Sequence, residues 1–149
     1  MAITIDLQIA CENYELPNDT QFQQWLDSVL LPKHDNIELT IRIVDATESQ
    51  SLNNQYRNKN KPTNVLSFPF EVPEGISLNL LGDIVICADI VNQEAQEQHK
   101  TITEHWAHIT IHGCLHLLGY DHINDNDAEY MEALEIDILE KLGFNNPYI

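Results

Sequence analysis

Residues 105–122 read HWAHITIHGCLHLLGYDH, and this stretch constrains the chain more than any other. At about 100° per residue, a helix through it gathers His105, His108, His112 and His116 within roughly a quarter of its circumference. His112 and His116 stand one turn apart, so both imidazoles can reach one ion. Gly119 follows LHLL, where a helix end needs a residue that tolerates a left-handed backbone. The chain can then turn and deliver His122 from outside the helix. This H-x-x-x-H-x-x-G-x-x-H spacing is that of zinc-hydrolase sites. Three imidazoles arriving from two directions suit Zn²⁺ and leave a fourth position for water. One Zn²⁺ per chain on His112, His116 and His122 is therefore expected, with Ni²⁺ or another first-row ion acceptable to the same donors.

The neighbouring residues have less to say. His105 and His108 suit packing, the helix surface or hydrogen bonding behind the ligands. His34 and His99 read as surface residues. Cys114 points about 160° away from His112 and belongs in the core. Asp121 is equally a fourth ligand, a helix cap or a hydrogen-bond partner of a ligand histidine.

A zinc protease with this spacing would carry glutamate directly after the first histidine, where this chain has Gly113. That glutamate takes the proton from water and passes it to a departing amine. Phosphodiester hydrolysis demands something else: a metal can lower the pKa of water to about 7, and the main need is charge stabilisation on phosphoryl oxygens. An arginine fork meets that need. Arg57, in the stretch RNKNK with Lys59 and Lys61, is the candidate, although an ordinary solvated arginine fits the same residues.

Charge shapes the choice of partner. The chain carries 7 Lys+Arg against 24 Asp+Glu, a net charge of −17, so its long-range field repels phosphate. The acids Asp125, Asp127, Glu129, Glu132, Glu135, Asp137 and Glu140 fall in one C-terminal segment, which reads as a helix with a solvated acidic face. Three of the 7 cations fall together at 57–61. Cys11, Cys87 and Cys114 are odd in number and widely spaced, so they read as reduced thiols of a cytoplasmic protein. No apolar run approaches the ~20 residues of a membrane span. The alternating start MAITIDLQIA is not expected to be a signal peptide.

Alternation over 3–9 and 37–45 predicts two half-buried strands, and TQFQQWLDSVLL an amphipathic helix stopped by Pro32. ATESQSLNNQYR reads as a short helix capped by Thr47 or Ser49. VLSFPF is a short strand whose Pro69 favours a sheet edge, and LLGDIVICA a more buried strand. Helices follow over about 88–98, 104–118 and 125–142, the last with Met131, Leu134, Ile138 and Leu142 as its apolar stripe. The order β-α-β-α-β-β-α-α-α implies one α/β domain, α+β-like, over 1–149. It would be a small mixed four-stranded sheet packed with about five helices, a hydrolase domain with its zinc site at the end of the long histidine helix.

The stretches YRNKNKPTNVLSFPFE (56–71), LLGDIVIC (80–87) and HWAHITIHGCLHLLGYDH (105–122), with NPYI near the end, resemble the YbeY family of bacterial metal-dependent endoribonucleases. The resemblance implies zinc ligation by His112, His116 and His122 and a functional role for Arg57. Many relatives in that family carry Asp where this chain has Asn64, so position 64 receives no catalytic part. The resemblance further implies cytoplasmic cleavage of single-stranded RNA, maturation of the 3′ end of the small-subunit ribosomal RNA, and ribosome quality control. Partners would be that RNA and the small subunit, with ribosomal proteins or assembly factors compensating for the acidic surface. Two other readings fit the residues: a metzincin-like peptidase, opposed by Gly113, and a non-catalytic assembly factor in which zinc fixes the C-terminal helices.

Overall fold

The computed structural model describes residues 3–12, 15–31, 33–34, 36–70, 79–121 and 124–148. Its four strands are β1 (Thr4–Ala10), β2 (Glu38–Val44), β3 (Val65–Pro69) and β4 (Leu80–Cys87). The five helices are α1 (Asp19–Leu30), α2 (Ala46–Arg57), α3 (Ala88–Glu97), α4 (Ile102–Leu117) and α5 (Asp125–Lys141). The strands form one sheet in the order β1-β2-β4-β3. β1, β2 and β4 run parallel, and β3 returns antiparallel to β4. The single small domain with a mixed four-stranded sheet and five helices is the architecture expected from the element order.

Period-two alternation sorts the strand side chains onto two faces. Leu39, Ile41, Ile43, Ile84, Ile86 and Val65 point to one face and join Phe22, Trp25 and Leu26 of α1 with Trp106, Ile111 and Cys114 of α4 in the main core. Val44, Leu66, Val85 and Cys87 point to the other, where Leu52 of α2, Phe68 and Ile90 pack on them. A central strand buried on both faces needs the continuous apolar run that IVIC provides, and β4 occupies that place. β3 is terminal in the sheet, consistent with Pro69 at an edge.

Helix ends follow local chemistry. Asn18 and Gln21 form a reciprocal capping box at α1, and Thr101 and Glu104 form another at α4. The latter starts the histidine helix at Ile102, two residues before the expected start at Glu104. Leu31 ends α1 in extended backbone, as a residue before proline prefers; Pro32 itself lies outside the described residues.

Two expectations need correction. The α2 cap is Asp45, whose carboxylate accepts from Glu48 N, because the capping position lies just outside the helix in extended backbone. Thr47 and Ser49 lie inside the helix, and Ser49 is buried and bonded elsewhere. In α5 the fully buried positions are Met131, Glu135 and Leu139. Leu134, Ile138 and Leu142 pack at the margin of the core, so the inward face is rotated by about 55°, roughly half a residue, from the expected stripe.

Candidate metal centre and cleft

α4 crosses the sheet with its middle pressed against β3 and β4. At Gly113 a Cβ would lie 3.0 Å from Ile84 Cγ2 and 3.1 Å from Val65 Cγ2. The Ser67 hydroxyl donates to the Gly113 carbonyl at 2.9 Å. Position 113 therefore has no room for a glutamate, and the catalytic base of a zinc peptidase has no place there. Gly119 ends the helix with φ +100, and Tyr120 N donates to Leu115 O at 3.1 Å, the left-handed exit expected of this glycine.

His112 and His116 bring their Nε2 atoms to 3.0 Å. Two imidazole nitrogens on a tetrahedral Zn²⁺, each about 2.0–2.1 Å from it, would stand roughly 3.3 Å apart, so the pair fits an ion with little adjustment. His122 lies outside the described residues.

The other nitrogen of His112 identifies a residue the sequence reading missed. His112 Nδ1 donates to Glu135 Oε1, which fixes the tautomer and leaves Nε2 with its lone pair toward His116. Glu135 Oε2 accepts from the Tyr148 hydroxyl and from His108 Nε2, the latter at 3.3 Å. Glu135 is 0% exposed, so it is no part of a solvated acidic face. Burial pushes its carboxyl up, but the hydrogen bonds from His108, His112 and Tyr148 oppose that and help hold it at about 2. Burial pushes the His108 ring toward the neutral form, against the pull of Glu135. The signal was available in sequence: Glu135 stands four residues from both Met131 and Leu139, a lone carboxylate in line with apolar neighbours.

His108, His112 and Glu135 also present ligand atoms within 4.8 Å of one another, a donor set that can hold a metal ion. Those atoms are already engaged with each other in the hydrogen bonds just described, on a carboxylate closed off from solvent. The Nε2 pair, in contrast, opens on a cleft. A metal thus has two conceivable seats sharing His112: the buried group of His108, His112 and Glu135, and the Nε2 side facing the cleft.

The fourth histidine of the row, His105, is buried too, and its Nε2 lies 2.9 Å from Glu94 Oε1. Asn64 Nδ2 donates to the same oxygen at 3.1 Å. Burial raises the Glu94 carboxyl, but the hydrogen bonds from His105 and Asn64 bring it below its ordinary value. His105 and His108 therefore both work as hydrogen-bonding groups within the fold.

The cleft has a volume of about 660 Å³ and follows the outer edge of β3. Arg57, Asn64, His112, His116, Tyr120 and Asp121 all line it, so the structure brings the expected arginine and the two described histidines to one place. Arg57 ends α2, and Asn58 follows with φ 57. The cationic loop is latched back onto the helix: Asn53 Nδ2 donates to Lys61 O at 2.8 Å, and Gln50 Nε2 to Asn60 Oδ1 at 2.9 Å. The Ser49 hydroxyl donates to Thr63 O at 2.9 Å and accepts from Thr63 N at 3.0 Å. These bonds turn a polar, glycine-free loop into a fixed wall of the cleft.

A family model described as "Endoribonuclease YbeY" matches residues 8–143, most of the chain and all of the cleft just described. The chain belongs to the YbeY endoribonuclease family. A protein of Colwellia psychrerythraea named endoribonuclease YbeY is 61% identical over 154 aligned residues, which cover 100% of this chain and 99% of that protein. A solution structure of a Thermotoga maritima protein is similar in fold, with a TM-score of 0.59 and 24% identity over 95% of this chain and 91% of that one. Of the stretches that carried the family resemblance, 56–71, 80–87 and 105–122 lie inside the matched span, and NPYI at 146–149 lies beyond it. Among the described residues, no helix is long and apolar enough to cross a membrane.

Proposed function

We propose that this chain is a metal-dependent endoribonuclease that cuts single-stranded RNA, with one Zn²⁺ held by His112, His116 and His122. The observation that carries the reading is the Nε2 pair of His112 and His116, 3.0 Å apart in the same cleft as Arg57. The ion, when bound, supplies Lewis-acid polarisation of a phosphoryl oxygen and acidification of water.

The protein's own groups do the rest. Glu135 holds the His112 ring in one tautomer and one orientation, so its Nε2 is presented without rearrangement. Arg57 binds the scissile phosphate through its planar fork and stabilises the charge that grows on the phosphoryl oxygens. The edge of β3 forms the floor along which an extended strand lies. Gly113 keeps any side chain out of the position from which a peptidase would work.

In the cell, the substrate we infer is the 3′ end of the small-subunit ribosomal RNA, cut in the cytoplasm during maturation and quality control of the small subunit. The net charge of −17 supports a role for ribosomal proteins or assembly factors in bringing enzyme and RNA together. Cleavage of single-stranded RNA by the purified protein, lost in His116→Ala, tests the activity. Accumulation of small-subunit RNA with extended 3′ ends in cells lacking the protein tests the substrate, and correctly trimmed ends in those cells would contradict it.

A further inference from the structure

An enzyme of net charge −17 that binds a polyanion needs attraction that does not come from its overall field. Tyr56 sits immediately before Arg57 in the last turn of α2, and both line the cleft with His112 and His116. Its side chain contributes nothing to the core: Tyr56 is 58% exposed. Its ring is nonetheless held, meeting the ring of Phe68 edge-on with centroids 5.1 Å apart. Phe68 is anchored in turn in the smaller core beneath α2. An aromatic ring that is fixed from behind and open in front costs little ordering when a second flat ring settles on it. Tyr120 lines the cleft as well, and its ring lies 5.8 Å from that of Tyr130, tilted by 31°.

We propose that Tyr56 is a base-stacking platform for the RNA, taking one nucleobase while the adjoining Arg57 takes a phosphate. This rests on the nuclease reading above and adds the source of its single-strand preference. A base inside a duplex has both faces occupied by its neighbours, whereas an unpaired base can leave the stack for Tyr56. Stacking also tolerates any base, so the platform selects unpaired nucleotides without selecting a sequence.

The test is binding of a short single-stranded RNA carrying 2-aminopurine, read by fluorescence quenching, with His116→Ala in every protein compared so that the strand is not cut. Tyr56→Ala weakens binding roughly 5- to 150-fold, the equivalent of about 1–3 kcal/mol, and Tyr56→Phe restores it. Tyr56→Leu keeps an apolar contact with Phe68 but no π-face, and it binds as weakly as Tyr56→Ala. Replacing the stacked base with an abasic residue removes the same factor from the wild type and nothing further from Tyr56→Ala.

Wild-type binding without quenching, Tyr56→Leu equal to wild type, or a Tyr56→Ala loss that persists undiminished on the abasic strand overturns the platform. Displacement of the oligonucleotide by an unstructured apolar peptide better than by RNA would assign the ring to protein ligands and overturn it too. The two readings fail separately. Quenching that depends on Tyr56 in a protein that cuts no RNA would leave the platform and remove the nuclease, and cleavage indifferent to Tyr56 would do the reverse.

Discussion

The Ser67 hydroxyl donates to the Gly113 carbonyl across 2.9 Å, tying the edge strand to the middle of the histidine helix. That bond and the bare Cα at 113 let α4 approach the sheet closely. A Cβ there would meet Ile84 and Val65 at 3.0 and 3.1 Å, so these branched side chains would have to shift by a few tenths of an ångström. Gly113→Ala is expected to lose about 1–3 kcal/mol in urea denaturation, the usual result of overpacking. Gly113→Glu should lose more and gain no peptidase activity. A stable Gly113→Glu protein that digests casein would contradict this account of the missing glutamate.

Glu135 gives the second prediction. A buried carboxylate that orients a ligand histidine is worth about 10–100-fold in metal affinity. Glu135→Gln keeps the shape but changes the pairing with His108, His112 and Tyr148, and it should weaken zinc binding by about that factor in competition with a chelator. Glu135→Ala also strands the partner groups in a sealed pocket and should cost stability on the order of 3 kcal/mol. Unchanged zinc affinity in Glu135→Gln would remove its positioning role.

Arg57 acts on the phosphate and not on the ion. Arg57→Ala should keep zinc stoichiometry and thermal stability while cleavage falls by about 10²–10³ in kcat. Arg57→Lys should recover little, since a point charge does not reproduce the fork. Full activity in Arg57→Ala would end the proposed role.

The fold was legible wherever burial follows a simple period. Leu39, Ile41 and Ile43 alternate cleanly with polar neighbours, and all three face the main core. The row of four histidines was legible for the same reason. The parts that failed depend on contacts between distant segments. Glu135 lies 23 residues from His112 in sequence, and nothing local distinguishes it from the acids around it except its register with Met131 and Leu139. Asp45 as the α2 cap was missed although the helix itself was read with its observed bounds, because the capping residue stands one position before the first helical residue and Thr47 and Ser49 stand inside it. The latch from Ser49, Gln50 and Asn53 to the cationic loop is another long-range arrangement that periodicity does not encode.

Asn64 carries a pH prediction. The Glu94 carboxyl is held below its ordinary value, so it contributes stability above its unfolded pKa of about 4.3 and loses it as pH falls through the lower folded value. Asn64→Asp removes a donor to Glu94 and adds a second carboxylate beside it, which raises the folded value. Acid unfolding followed by circular dichroism should then begin at higher pH than in the wild type. An unchanged acid transition would contradict the pairing.

The most direct measurement is metal content of the zinc-reconstituted protein and of two variants, His116→Ala and His108→Ala, each checked for a native circular dichroism spectrum. The account predicts one zinc per chain in the wild type and in His108→Ala, and none retained by His116→Ala. Zinc retained at full stoichiometry by His116→Ala but lost by His108→Ala would move the ion to the inner group of His108, His112 and Glu135 and contradict the proposed centre.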